Sequence, residues 1–438
     1  MDAKTTDSAP FLDRLEAVDT DQPDWAAALR RAGLAVYREE GLPHAKVEAW
    51  KYTRLDGLTR SAFEPGISAP DGITVPDGRI ADMAGAHRLV FVNGCYRAEL
   101  SDDGLADEGI EIVNLGKPGA APGWVAEHMG RVLDLAGMPL AALNAALWGD
   151  GVAIKLADGA QLQKPLHLIF LAAASTPAMF QSRHLLIAGR DSRAAVIESH
   201  LGLEGAPTFS NSVVEMILEE DAVLDHAKLV DETEHAYHIA ATALSLAGQA
   251  RYNGFVLTLG GRVVRNETRV RLAAAGAECC LAGAYVADGE AHVDNTVFID
   301  HAGPGAASRV VFKGVIGDTA RGVFQGKTLV RQYAQKTDGH QLHKALLLSS
   351  GAEVNAKPEL EIYADDVKCG HGATAAQLDE DMVFYLLARG IPEAQARQLL
   401  TEAFLGDVVD EIASPEIAAA MSAALTRRLA GINADHGA

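Results

Sequence analysis

The sequence predicts a mainly β protein: a parallel β-helix, or solenoid, with an α-helical region at each end. Three observations carry this. From Arg88 to about Tyr363, short runs of β-branched residues alternate with turn residues. Turn signals near Gly248, Gly260, Gly276, Gly289, Gly303 and Gly317 place alternate turns 28, 29, 27 and 28 residues apart. A period in the twenties that carries strands rather than helices marks coils stacked on one another. Outside this stretch, apolar residues recur at helical spacing. A propeller would need four strands per ~40 residues with a repeated blade motif, which is not found. A sandwich fits poorly because the strands continue for so long.

The elements follow in order. From about residue 11 to 60, Trp25, Leu29, Ala32 and Val36 fall on one helical face, and the Pro- and Gly-rich stretch from Phe63 to Ile80 reads as a linker. The expected organisation is therefore a helical region with linker over 1–85, a β-helix core over 86–374 and a helical domain over 375–438. Within the core, Val213 to Leu218 ends at Glu219-Glu220-Asp221, and Val223 to Val230 ends at Asp231-Glu232, both strand lengths. Near the C-terminus, Asp379 is placed to cap a helix through Met382 to Arg389, which Gly390 ends, and Pro392 opens the next. Leu400, Phe404, Val408 and Ile412 then repeat every four residues, as do Ile417, Met421, Leu425 and Leu429 after Pro415.

Composition excludes several classes. The 438 residues are 48% hydrophobic, ample for a large core. Cysteines at 95, 279, 280 and 369 show no disulfide framework. Met1 to Pro10 lacks a basic start and an apolar run, so no secretory signal is read and a cytoplasmic location is expected. The strongly apolar window from Leu166 to Ala174 is about half of the ~18 residues a membrane span needs. A formal charge of −21 disfavours nonspecific binding to nucleic acid or to an anionic membrane.

Lys357 to Thr374 is the segment that reads as a site. Its Cys369 and His371 are two residues apart in a strand-like run, so both side chains share a face. A thiolate suits zinc, copper(I) or iron–sulfur clusters, and imidazole suits iron and zinc. The pair also fits a packed small thiol beside a hydrogen-bonded imidazole, and two ligands do not close a site. Other motifs fail on context. Gly326-Lys327-Thr328 lacks the phosphate-loop glycine, Arg321 standing in its place, so no nucleotide binding is expected. The pairs His235/His238 and His340/His343 read as polar surface. Cys279 and Cys280 point to opposite faces, one inward. Glu198-Ser-His200 and Asp225-His226 read as polar ladders along the coils. Met382-Val-Phe-Tyr385 reads as a packed helix face.

Asp365-Asp-Val-Lys-Cys369-Gly-His371-Gly-Ala-Thr374 resembles the signature of the SufB/SufD family, the scaffold subunits of the SUF iron–sulfur cluster assembly machine, with the histidine favouring the SufD branch. Trp50-Lys-Tyr-Thr53, Arg88 to Gly94, Leu140 to Asn144, Lys164 to His167, Lys336 to Gly339 and Met382 to Ile391 match in order. The resemblance spans about residues 45 to 395. Gly370 departs from a small polar residue, and Ser61 to Ile80 has no match.

The resemblance implies a β-helix fold and a non-catalytic scaffold for cluster assembly. It implies a SufB paralogue as partner, which supplies its own cysteine, and two copies of the SufC ATPase on the C-terminal helices. Cys369 and His371 are then candidate ligands for iron or a transient cluster shared between subunits, and a homodimer is possible in isolation. The alternatives are a purely structural subunit in which Cys369 and His371 only pack, and a carbohydrate-active β-helix enzyme, since fold does not determine function.

Overall fold

The computed structural model describes residues 10–11, 22–66, 72–76, 79, 85–102, 109–117, 119, 121–203 and 205–435. The helical reading of residues 12–21, the reading of 1–9 and much of the linker lie outside them. Helix α1 (Asp24–Glu40) leads into β1 (Glu64–Pro65), β2 (His87–Val92), β3 (Cys95–Tyr96) and β4 (Ile110–Asn114), then α2 (Gly123–His128) and α3 (Pro139–Leu147). The regular coils begin with β5 (Val152–Leu156), β6 (Leu166–Ala172), β7 (Ala178–Ala188), β8 (Arg193–Gly202), β9 (Thr208–Leu218) and β10 (Val223–Asp231). They continue as β11 (Tyr237–Leu246), β12 (Arg251–Thr258), β13 (Val263–Leu272), β14 (Glu278–Ala287) and β15 (His292–His301). The last coils are β16 (Ala307–Ile316), β17 (Arg321–Val330), β18 (Thr337–Leu347), β19 (Glu353–Ile362) and β20 (Val367–Ala376), followed by α4 (Glu380–Leu387), α5 (Glu393–Val409) and α6 (Pro415–Asp435).

From β5 onward the eight odd-numbered strands, joined by β1 and β4, build one ten-stranded sheet, and the eight even-numbered strands, joined by β2 and β3, build the other; within each run, strands pair in parallel with those two places away. This is the expected parallel solenoid, of about seven turns. The inner strands such as β6 and β7 are buried on both faces, which is why they read as near-continuous apolar runs, whereas β19 and β20 at the end have no fully buried residue. One corner shows how the coils are spaced. Gly159, Asp191, Asp221, Gln249, Gly276, Gly305 and Lys336 all have positive φ. Each gives its N–H to a carbonyl of the next coil, as in Asp221 to Gly248 and Gly276 to Pro304. Only some of these corner residues are glycine, so glycine spacing shows the period only roughly.

Three apolar layers hold the coils. The lumen is filled by residues such as Leu168, Met216, Leu244, Leu281, Phe312 and Phe324. On the outer face of the odd-numbered sheet, Tyr37, Trp50, Leu58, Phe63 and Leu143 pack on Phe209, Ile239 and Val263. Helices α2 and α3 fall between residues 86 and 374, inside the stretch expected to be coil. On the opposite face, Leu405, Val408, Ile417, Met421, Leu425 and Leu429 cover Leu229, Phe255, Leu257 and Val286. The two C-terminal repeats are thus core-facing stripes. Asp379 caps α4, its side chain accepting from the Asp381 N–H, and Gly390 has φ +83 after it.

The Trp50-Lys-Tyr-Thr53 element belongs to this packing. Arg265 lies 4.1 Å over the Trp50 ring and pairs with Asp294, and Thr53 donates to the same Asp294 carboxylate.

Candidate metal centre at the end of the solenoid

Cys369 and His371 lie on β20, the last strand of the even-numbered sheet. One side of β20 pairs with β18, bringing Cys369 beside Gly339 and His371 beside Gln341. Its other side pairs with no strand among the described residues, and the same holds for β19 in the other sheet. Both sheets therefore end in free edges at the same end of the solenoid.

Register places the pair on the lumen side. Cys279, Ser308, Gly339 and Cys369 form one column across four strands, and Leu281, Val310, Gln341 and His371 form the next column but one. Cys279, Ser308, Leu281, Val310 and Gln341 are all buried. Cys369 is half-buried and His371 exposed because no further coil covers them. Gly339 leaves room beneath the thiol: a Cβ there would lie 3.4 Å from Cys369 Sγ and 3.5 Å from His301 Nε2. His301 is itself held 2.8 Å from Ser308 Oγ. The rim carries Val354, Pro358, Leu360 and Ile362 of β19, which alternate with the outward Lys357, Glu359 and Glu361.

Burial pushes the Cys369 thiol pKa up, with Asp338 adding to it and a backbone hydrogen bond at Gly339 opposing it. A metal binding here must displace the thiol proton, since the thiolate is the ligand. Asp338 also lies 3.1 Å from His340, which stands beside Gly370, out of phase with the pair. Among the described residues no third His, Cys, Asp or Glu completes a three-ligand group with Cys369 and His371. The geometry offers one thiol and one imidazole, open to whatever meets the free edge.

Other expectations resolve differently. Cys279 is buried and Cys280 exposed, as strand parity requires. Gly326-Lys327-Thr328 lies inside β17, with no helix N-terminus to hold phosphate. Glu198 does form a ladder, its oxygens 3.0 and 2.9 Å from His200 and His226. The surface reading of the histidine pairs is corrected for one member of each. His235 and His340 are exposed, whereas His238 and His343 are fully buried: His340 and His343, three apart on β18, face opposite ways, while His235 lies in the turn before β11, on which His238 points inward. Met382-Val-Phe-Tyr385 is corrected as well: only Val383 is buried, while Met382, Phe384 and Tyr385 are exposed on α4.

Residues 170–404 match the family described as the SufBD core domain of SUF system FeS cluster assembly, and residues 8–168 match the SufBD protein N-terminal region. A SufBD family iron–sulfur cluster assembly protein of Synechocystis is 32% identical over 387 residues, 85% of this chain and 84% of the relative. The iron–sulfur cluster assembly protein SufD of Escherichia coli is 32% identical over 400 residues, 89% of this chain and 90% of the relative. SufD of Bacillus subtilis is 27% identical over 282 residues, 62% and 63% of the two chains. No helix among the described residues is long and apolar enough to cross a membrane.

Proposed function

The chain belongs to the SufBD family, whose proteins function in iron–sulfur cluster assembly, and from that premise we propose that it is a non-catalytic scaffold subunit whose Cys369 and His371 hold iron or a forming cluster at a subunit interface. The observation that carries this reading is the position of both residues on the lumen face of the last, uncovered strand. A cluster normally takes four protein ligands, usually thiolates, although histidine substitutes. This chain supplies two at an edge, so the remainder come from a second polypeptide. A free strand edge is itself a template for adding a partner strand, with main-chain hydrogen bonds giving affinity. The apolar rim of Val354, Leu360 and Ile362 adds surface that a matching coil would bury.

In this reading the partner is a SufB paralogue that contributes a cysteine, and the complex works in the cytoplasm. In isolation the same edge accepts a second copy of the chain. The SufC ATPase docks on the C-terminal helices, where Met382, Phe384, Tyr385 and Leu387 expose apolar and aromatic surface on α4.

The test uses the complex reconstituted with paralogue and ATPase. Cys369→Ser and His371→Ala are expected to assemble normally and to lose most of their iron, read as metal per complex after desalting. Unchanged iron in both variants would leave the pair a packing role only. Phe384→Asp is expected to abolish co-purification of the ATPase while the paralogue stays bound; retained ATPase would place its docking surface elsewhere.

A further inference from the structure

Deeper in the lumen, His200, Glu232 and His238 each offer a ligand atom, all within 4.8 Å of one another. They come from three places in the chain: β8, the turn after β10, and β11. All three are buried, at 3%, 5% and 0% exposure. The two imidazole rings meet edge to face with centroids 4.7 Å apart.

Their bonding is incomplete. His238 Nδ1 lies 2.9 Å from Glu232 Oε1, but His238 Nε2 and Glu232 Oε2 have no hydrogen-bond partner. Buried polar atoms left unpaired are costly, so such atoms are normally satisfied by water or an ion. Glu198 provides the contrast, with one oxygen on His200 Nε2 and the other on His226 Nε2, whose ring reaches Tyr252. That outer carboxylate orients the His200 ring and leaves Nδ1 as its ligand atom, as carboxylates behind metal-bound histidines do.

The charges leave room for a cation. His200 and His238 are both buried, and neutral imidazole is the form that binds metal. Lys228 faces both Glu198 and Glu232, so two carboxylates stand against one ammonium.

A surface cleft adjoins the site. Glu232 lines a surface cleft of about 750 Å³ together with Asp231, Glu234, Asp288, Glu290 and Asp318. Arg262 and Arg428 pair with Glu290 and Asp288 there, and Arg79 pairs with Asp231, so the six carboxylates meet three guanidinium groups.

We propose that His200, Glu232 and His238 form a binding site for a divalent first-row transition metal ion, reached from this acidic cleft and separate from Cys369 and His371. Two imidazoles and a carboxylate match the donor set of non-haem Fe(II) sites and disfavour calcium or magnesium, which take oxygen ligands. The site needs no partner subunit, so it stands whether or not the interface reading holds.

The probe is Co²⁺ alone, added to the chelator-treated full chain and read by its visible ligand-field absorption and by metal content after desalting. Wild type is expected to retain a single Co²⁺, as is the Cys369→Ser, His371→Ala double variant. Glu232→Gln and His238→Gln are expected to lose it, and Glu198→Gln to weaken it by about 10–100-fold, as loss of an outer-shell partner does. Circular dichroism checks that each metal-free variant is folded; if His238→Gln is not, the isosteric Glu232→Gln decides alone. No Co²⁺ on wild type, undiminished Co²⁺ on Glu232→Gln, or loss confined to the Cys369/His371 variant would overturn the proposal.

Discussion

Arg183 and Glu215 form an ion pair in which neither side chain reaches solvent, with Nη2 2.6 Å from Oε1. Arg183 also donates to Asn144 of α3, and Glu215 accepts from the backbone N–H groups of Gly130, Val132 and Leu133. The pair therefore pins the α2–α3 segment to the wall of the solenoid. Removing one partner leaves a buried charge uncompensated, which costs about 3–5 kcal/mol. Glu215→Ala is expected to lose that much in urea unfolding. An Arg183→Met, Glu215→Leu double variant should recover only part of it, because the three amides remain unpaired. Full recovery would assign those amides no energetic weight.

Helices α1 and α3 touch at Gly33, where an added Cβ would lie 2.5 Å from the Ala142 carbonyl oxygen and 2.8 Å from Ala145 Cβ. Alanine in a helix interior normally gains up to about 1 kcal/mol over glycine. Here the obstacle is backbone, which cannot swing aside, and overpacking costs about 1–3 kcal/mol. Gly33→Ala should lower the melting temperature. Gly406→Ala, in α5 with nothing within 4 Å of its added Cβ, should raise it. Equal signs for the two would contradict the close approach.

His343 is buried, 3.0 Å from the Tyr285 hydroxyl and stacked on Phe324. Burial lowers its pKa from 6.5 to about 4, and burial does the same first of all to His167 and His184. Between pH 6.5 and 4 the unfolded chain binds these protons and the folded chain does not, so stability falls as pH drops through that window. At about 1.4 kcal/mol per pKa unit, each such histidine accounts for roughly 3 kcal/mol. His343→Phe should flatten the pH dependence of unfolding free energy in that range by about one histidine's share. An unchanged slope would mean that His343 protonates freely in the folded state.

Much of the fold was legible because strand and helix periodicities are local. The turns reported the coil period, and the four-residue repeats from Leu400 and Ile417 reported which faces of α5 and α6 enter the core. Cys279 and Cys280 were separable by parity. The same argument, applied to His340/His343 on β18, sends His343 inward, although polarity had suggested surface; for His235, in the turn before β11, parity does not apply. Met382 to Tyr385 misled in the other direction: apolar side chains usually pack, and nothing local shows that a short capped helix leaves three of them uncovered.

The sequence by itself determined the coil repeat, the helical flanks and the Cys369–His371 pair, since each depends on residues close along the chain. Only the tertiary structure decided that β20 is the open last coil, and that His200, Glu232 and His238 meet. Stacking brings together residues about one coil apart at register offsets that vary from turn to turn, as in the steps from Arg251 to Glu278 and from Glu278 to Ala307. No local pattern of side chains encodes which of them face one another across the lumen.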